Sequence, residues 1–183
     1  MTHDELVARG RRWLRAAHSR VDLGEYRQAH AVVVTELACC CGEDADVVGF
    51  GPHGSTLIEC KVSRSDFRRD DHKPQRQPGV GAVGKWRYYL VPAGLVRVDE
   101  VREGWGLLEA SPGQIKVTKP SRMFCGDERQ PDYELAILVS AMARLRPAPD
   151  AKLTVRWQGE RTVMTKSDVA RATVTVEIEE VSS

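Results

Sequence analysis

The feature that most constrains the fold is a pair of β-like runs joined by a tight turn and followed by a helix and another strand. Residues 45–51 (ADVVGFG) and 56–62 (TLIECKV) are rich in β-branched side chains and flank a PHGS turn at 52–55, which predicts two neighbouring antiparallel strands. The basic segment 63–73 then predicts a helix, and the aromatic run 86–92 (WRYYLVP) predicts a further strand. A strand, a helical crossover and another strand usually form a right-handed parallel unit.

Further elements are predicted on both sides of this core. They are a helix over 3–17, a strand over 29–40, hairpin strands over 104–110 and 113–119, and a helix over 132–145. Together they predict an α/β protein with a mixed central sheet flanked by helices, followed by a C-terminal helix and a small β extension. We expect a core domain over residues 1–120 and an extension over 121–183 that could mediate homodimer formation.

Composition argues against a general polyanion binder and against a membrane protein. The 183 residues carry 27 basic and 26 acidic side chains, so any attraction to nucleic acid must come from a local patch. The chain has no apolar run of membrane-spanning length and no signal-like N-terminus, so we expect a cytoplasmic protein without a membrane partner. The five cysteines, three of them consecutive at 39–41, are then expected to be reduced, buried thiols rather than disulfides or a zinc site.

The strand predicted over 56–62 carries opposite charges where apolar residues are expected. Glu59 and Lys61 lie two residues apart and project to one face, while Ile58 and Cys60 face the other way into packing. Asp46 begins the neighbouring strand, so hairpin pairing brings its carboxylate near that of Glu59. Two carboxylates this close repel each other unless a cation lies between them. Mg²⁺ or Mn²⁺ is the natural occupant, because such a cation accepts one or two protein carboxylates and completes its shell with water and phosphate.

This spacing resembles the signature of the PD-(D/E)XK nuclease superfamily. Asp46 is followed after twelve residues by the triplet ECK. The order of elements, a helix, a three-strand meander, a helix and a strand, resembles the restriction-endonuclease-like core of that superfamily. Residues 45–70 together with 86–92 are similar to the MmcB-like DNA repair group. The chain departs from the superfamily pattern at Ala45, where the proline of the signature would stand.

The resemblance implies a metal-dependent deoxyribonuclease that hydrolyses phosphodiester bonds in DNA repair, recombination or phage DNA processing. It implies Asp46 and Glu59 as ligands of Mg²⁺ or Mn²⁺, and Cys60, between the charged residues, is counted with the metal set. Lys61 is the implied catalytic lysine. Glu36, on the strand before Asp46, is a candidate third carboxylate. The expected partner is DNA, although RNA is compatible with the same chemistry.

Three alternatives stay open at this point. Glu5, on the first helix, competes with Glu36 for the role of the third carboxylate. Glu59 and Lys61 could instead form an ordinary ion pair on an exposed strand face, which would need no function. The chain could also be a catalytically silent nucleic-acid-binding module on the same fold.

A basic segment follows the predicted metal site. Between Lys61 and Arg87 the sequence has eight basic and three acidic residues, in a position where a phosphate backbone would pass the metal. The residues predicted to contact nucleic acid are Arg64, Arg68, Arg69, Lys73, Lys85 and Arg87. The segment 74–85, rich in glycine and proline, is predicted to be a mobile loop that closes over a bound strand.

Overall fold

The structure is a computed structural model. It describes residues 1–16, 18–20, 25–27, 29–37, 45–51, 53–77, 80–145, 152–158 and 173–179. Side chains are described within 1–16, 29–36, 45–51, 53–77 and 80–141. Residues 41–44 (CGED) predict a turn and residues 146–151 (RPAPDA) predict a linker, but both segments lie outside the described residues, as do the consecutive cysteines at 39–41.

The described elements comprise three helices and ten strands. The helices are α1 (His3–Arg15), α2 (Arg64–Arg69) and α3 (Pro131–Leu145). The strands are β1 (His18–Arg20), β2 (Glu25–Arg27), β3 (Val32–Leu37), β4 (Ala45–Gly51), β5 (Gly54–Cys60), β6 (Trp86–Pro92), β7 (Gly106–Ser111), β8 (Gln114–Lys119), β9 (Lys152–Gln158) and β10 (Thr173–Glu179).

Six strands form one mixed sheet in the order β3-β4-β5-β6-β7-β8. The pairs β3–β4, β4–β5 and β7–β8 are antiparallel, whereas β5–β6 and β6–β7 are parallel. The predicted α/β class, with a mixed sheet flanked by helices and a C-terminal helix, is therefore confirmed. Strands β9 and β10 pair as a separate antiparallel hairpin. No helix in the described part of the chain is long and apolar enough to cross a membrane.

Helix α1 starts at a capping box and covers one face of the sheet. The Thr2 hydroxyl accepts a hydrogen bond from the Glu5 N–H at 3.2 Å, and the Glu5 carboxylate accepts one from the Thr2 N–H at 2.7 Å, which satisfies donors that a helix start otherwise leaves open. The apolar stripe of α1 packs against strands β4, β5 and β6.

Strand β5 divides its side chains between the two faces of the sheet. Ile58 and Cys60 are fully buried in the cluster under α1, whereas Leu57 belongs to the cluster on the opposite face. That second cluster includes Phe67 of α2 and Ile137 of α3, so α3 packs onto the core. By alternation, Glu59 and Lys61 belong to the face that carries α2 and α3.

The segment after α2 is partly buried and not wholly an exposed loop. Two 3₁₀ turns, Asp70–His72 and Pro74–Arg76, follow the helix. Ala82 and Val83 have no exposed surface. Arg76, Ala82 and Val83 therefore belong to the core, whereas Pro74, Gln77 and Val80 are exposed.

Candidate active site

Asp46, Glu59 and Lys61 lie close together where strand β4 begins and strand β5 ends. The antiparallel register places Asp46 next to Glu59. Asp46 Oδ2 accepts a hydrogen bond from the Cys60 backbone N–H at 2.7 Å, which fixes the carboxylate against the end of β5. Lys61 Nζ donates to Glu59 Oε2 at 3.1 Å. The three residues of the predicted motif are therefore brought together.

Asp46 sits in an environment that disfavours its charge. Burial raises the pKa of the Asp46 carboxyl, and the nearby Glu59 carboxylate raises it further. The Cys60 N–H and the Lys61 ammonium lower the pKa but do not cancel the rise. Since 19% of the side chain is exposed, a cation from solvent can reach this carboxylate and relieve the repulsion.

Glu59 lies at the centre of a buried ion cluster. Its side chain has no exposed surface. Glu59 Oε2 is 3.1 Å from Lys61 Nζ and 2.8 Å from Lys73 Nζ, and Oε1 is 3.0 Å from Arg76 Nη2. The alternative interpretation of Glu59 and Lys61 as an ordinary exposed ion pair is therefore wrong, because the lysine side chain is also only 6% exposed.

A second carboxylate, Asp70, completes the buried ion cluster, which comprises Glu59, Asp70, Lys61, Lys73 and Arg76. Asp70 Oδ1 lies 3.1 Å from Lys61 Nζ and 3.2 Å from Lys73 Nζ, while Oδ2 lies 2.9 Å from Arg76 Nε. Burial by itself would raise the pKa of Asp70, but Arg76 and Lys61 outweigh it and hold the pKa below its usual range. Burial would likewise lower the pKa of Lys61, but Glu59 and Asp70 raise it on balance. Lys61 is therefore an ammonium at neutral pH.

The backbone after α2 explains why this cluster forms. Asp70 begins the first 3₁₀ turn and Arg76 ends the second, and the extended residue Lys73 joins the two turns. The guanidinium of Arg76 also stacks over the Trp105 ring at 4.6 Å, and Tyr89 OH donates to Asp70 Oδ2 at 2.7 Å. Sequence reasoning missed Asp70 and Arg76 as site residues; the D-x-x-K-x-x-R spacing is the signal that could have found them.

Two further residues, His3 and Glu36, lie beside Asp46. His3 Nε2 lies 3.7 Å from Asp46 Oδ1 and 3.8 Å from Glu36 Oε1. The shared contact with His3 places the predicted third carboxylate, Glu36, near Asp46. The Glu36 side chain is 59% exposed, and its backbone has a positive φ of 48°. Glu5 instead engages the cap of α1. Within the described residues no three His, Cys, Asp or Glu side chains are already arranged as a metal-binding group.

The thiol of Cys60 does not join this group. Its side chain is fully buried on the α1 face of the sheet, opposite to Glu59. Burial raises the pKa of the thiol well above its ordinary value, so it is not a thiolate ligand. Only the backbone N–H of Cys60 reaches the site, through Asp46.

Helix α2 presents the basic residues that remain next to the site. Arg64, Arg68 and Arg69 are exposed. Arg64 also pairs with Glu100 and donates to the Leu95 carbonyl at 3.0 Å. The predicted contact of these three side chains with a phosphate backbone stays a prediction.

Lys85 and Arg87 lie away from this surface. The parallel register pairs Glu59 with Tyr89, so Lys85 is four residues, or roughly 13 Å, back along the strand; its ammonium donates to the His53 carbonyl at 2.8 Å. Arg87 is 4% exposed and donates to backbone carbonyls of residues 82, 83, 84 and 128. The predicted nucleic-acid contacts at these two positions are not supported, since the first is remote and the second is buried.

Replacing Asp70 with asparagine should destabilise the protein most at neutral pH. The pKa of the folded carboxyl lies below the ordinary value of about 3.9, so its stabilisation is complete above that ordinary pKa and is lost as the pH falls through the folded pKa. In urea unfolding between pH 7 and pH 3, the gap between wild type and Asp70→Asn should shrink towards acid. Asp127→Asn, at an exposed position, is the control. A gap independent of pH would contradict the role given to Asp70.

Comparisons with known proteins add little about activity. No protein-family model and no curated protein matches the sequence. Among solved structures, a protein of unknown function from Silicibacter pomeroyi is similar at 24% identity and a TM-score of 0.48, covering 65% of this chain and 80% of that one. The case for a function therefore rests on the residues of the site.

Proposed function

We propose that the chain is a divalent-metal-dependent nuclease that hydrolyses phosphodiester bonds in DNA. The observation that carries the proposal is the convergence of Asp46, Glu59 and Lys61 where β4 begins and β5 ends. Asp46 is held there by a hydrogen bond from the Cys60 N–H at 2.7 Å. A pathway in repair, recombination or phage DNA processing, with RNA as a further substrate, is compatible with this chemistry.

The donor chemistry of the site fits a hard divalent cation. Asp46 and Glu59 would hold Mg²⁺ or Mn²⁺, since carboxylate oxygens are the ligands these ions prefer, and Glu36 is the nearest additional carboxylate. The raised pKa of Asp46 supports this fit, because burial and the nearby Glu59 carboxylate both disfavour its charge, and a bound cation would favour it. When bound, the ion would supply Lewis-acid polarisation of the phosphodiester and a lowered pKa for the attacking water.

Lys61 and α2 would complete the active site. Because the pKa of Lys61 is raised, its ammonium serves as a fixed positive charge that stabilises developing charge on a phosphate oxygen, and not as a general base. The exposed arginines of α2 begin three residues after Lys61. They would hold the backbone of the nucleic acid by contacts that do not depend on sequence.

A second candidate is a nucleic-acid-binding module without cleavage. It is favoured by one observation: Glu59 is fully buried, and both of its oxygens already contact cations from the chain. In that arrangement the carboxylate would stabilise the fold, and only the arginines of α2 would meet the ligand.

Incubation with Mg²⁺ or Mn²⁺ on linear, circular, nicked and branched DNAs, and on RNAs, separates the two candidates. We expect cleavage that requires the metal and stops with a chelator. Binding that weakens with salt, without cleavage at saturating Mn²⁺, would favour the binding module. The absence of both binding and cleavage on every substrate would contradict both candidate functions.

A further inference from the structure

Lys73 differs from the other two cations of the buried ion cluster in its access to solvent. The side chains of Arg76 and Lys61 are 1% and 6% exposed, whereas that of Lys73 is 38% exposed. Arg76 is held by Asp70 and by the Trp105 ring. Lys73 reaches the cluster from the solvent side, so it is the cation that can leave by rotating its side chain.

The backbone at Lys73 supports this difference. Lys73 has an extended conformation (φ −64°, ψ 138°) between the two 3₁₀ turns and directly precedes Pro74. The proline restricts the backbone of the residue before it, so release of the ammonium would involve only the flexible four-carbon stem. The turns that carry Asp70 and Arg76 could stay in place.

The charges of the site balance without any added ion. Asp46, Glu59 and Asp70 provide three carboxylates, and Lys61, Lys73 and Arg76 provide three cations. A divalent cation added to this set would leave an excess charge of two. If Lys73 leaves Glu59 and pairs with a phosphodiester group, the three carboxylates face only Lys61, Arg76 and the divalent cation, and the excess falls from two to one.

We propose that Lys73 is an exchangeable counter-ion, which neutralises Glu59 in the free protein and passes to a substrate phosphate when a divalent cation binds. This inference rests on the proposed function. It makes Lys73 a residue that couples two ligands, because metal and nucleic acid then each favour the state in which Lys73 has left Glu59. By linkage, nucleic acid should raise the affinity for metal, and metal should raise the affinity for nucleic acid.

Mn²⁺ affinity tests the proposal without measuring cleavage. Free Mn²⁺ is measured by electron paramagnetic resonance for wild type and Lys73→Met, with and without a nuclease-resistant phosphorothioate DNA duplex. We expect Lys73→Met to bind Mn²⁺ about tenfold more tightly than wild type when no DNA is present, equivalent to about 1.4 kcal/mol. We also expect the duplex to enhance Mn²⁺ binding in wild type and to do so much less in the variant. Lys85→Met, which lies just before the start of β6 and away from Glu59, should behave as wild type.

The outcomes distinguish this inference from the proposed function. If wild type binds Mn²⁺ and Lys73→Met binds it equally or more weakly, Lys73 is not an exchangeable counter-ion, and the metal site stands. If neither protein binds Mn²⁺, both proposals fail. Lys73→Gln provides a second variant. Unfolding of both variants would also overturn the inference, since a cation that the fold requires cannot be released.

Discussion

Replacing Asp46 with asparagine should abolish metal-dependent cleavage and, at neutral pH, make the protein more stable. Asparagine keeps an oxygen that can accept from the Cys60 N–H, so the local backbone is preserved while the charged ligand is lost. We expect the rate of cleavage to fall by about 100-fold or more, the scale seen when one electrostatic contributor is removed from an active site. The measurement is cleavage of a DNA substrate at saturating Mn²⁺.

The gain in stability follows from the sign of the Asp46 pKa shift. Burial and Glu59 raise the pKa of the folded carboxyl above its ordinary value, so the folded state binds the proton more readily than the unfolded state. The ionised carboxylate therefore costs stability at pH 7, and this cost disappears as the pH falls below the ordinary pKa. Urea unfolding should show Asp46→Asn above wild type at pH 7, with a smaller difference at pH 4.

Asp99→Asn is the matched control for this prediction. The Asp99 side chain is 66% exposed and pairs only with Arg97 among the described residues, so we expect unchanged cleavage and stability within about 1 kcal/mol. Undiminished cleavage by Asp46→Asn would contradict the nuclease mechanism. Lower stability of that variant at pH 7 would contradict the electrostatic description of Asp46.

Replacing Arg76 with methionine should destabilise the protein by about 3–5 kcal/mol, the cost of removing one partner from a buried ion pair. Its guanidinium contacts Glu59 at 3.0 Å and Asp70 at 2.9 Å while only 1% exposed. Removal leaves two buried carboxylates to share the two lysines. The free energy of unfolding is measured by equilibrium urea titration at pH 7.

Arg69→Met provides the comparison for Arg76. The Arg69 side chain is 77% exposed and lies 3.7 Å from Asp66, so its removal should change stability by about 0–1 kcal/mol. A loss below 1 kcal/mol for Arg76→Met would show that the buried ion cluster contributes little to the fold. Lys61 belongs to the same cluster, so Lys61→Ala would lower stability as well as cleavage and is a poorer test of catalysis than Asp46→Asn.

Local sequence patterns predict the central strands well. Strands β4 and β6 have the predicted bounds, 45–51 and 86–92, because β-branched and aromatic residues stand between clear turn residues. The alternation that separates Glu59 and Lys61 from Ile58 and Cys60 is also confirmed. These features depend on neighbours in sequence, which is why they can be read from it.

The surroundings of Glu59 could not be predicted in the same way. Its burial depends on Asp70 and Arg76, which reach it only because the helix predicted over 63–73 ends at Arg69 and continues as two 3₁₀ turns. Pro74 cannot continue an α-helix. The change from an α-helix to two 3₁₀ turns after Arg69 therefore determines whether Glu59 is exposed to solvent or buried among cations.

The number of basic residues in the sequence does not show which of them are exposed and which are buried. Arg87 has the same charge as Arg68, yet it is buried against the Phe124 ring at 4.1 Å and against backbone carbonyls. An arginine can satisfy its donors inside a protein when carbonyl groups converge on it. Only the tertiary packing shows which arginines remain for a phosphate backbone.

The most direct test of the metal site is anomalous diffraction from crystals soaked in saturating MnCl₂ and measured at the manganese absorption edge. We predict one anomalous peak from a manganese ion bound by the carboxylates of Asp46 and Glu59, and an ammonium of Lys73 that no longer contacts Glu59. Absence of a peak at these carboxylates, with Glu59 still in contact with Lys61, Lys73 and Arg76, would contradict the proposal that the two acidic residues hold a catalytic cation.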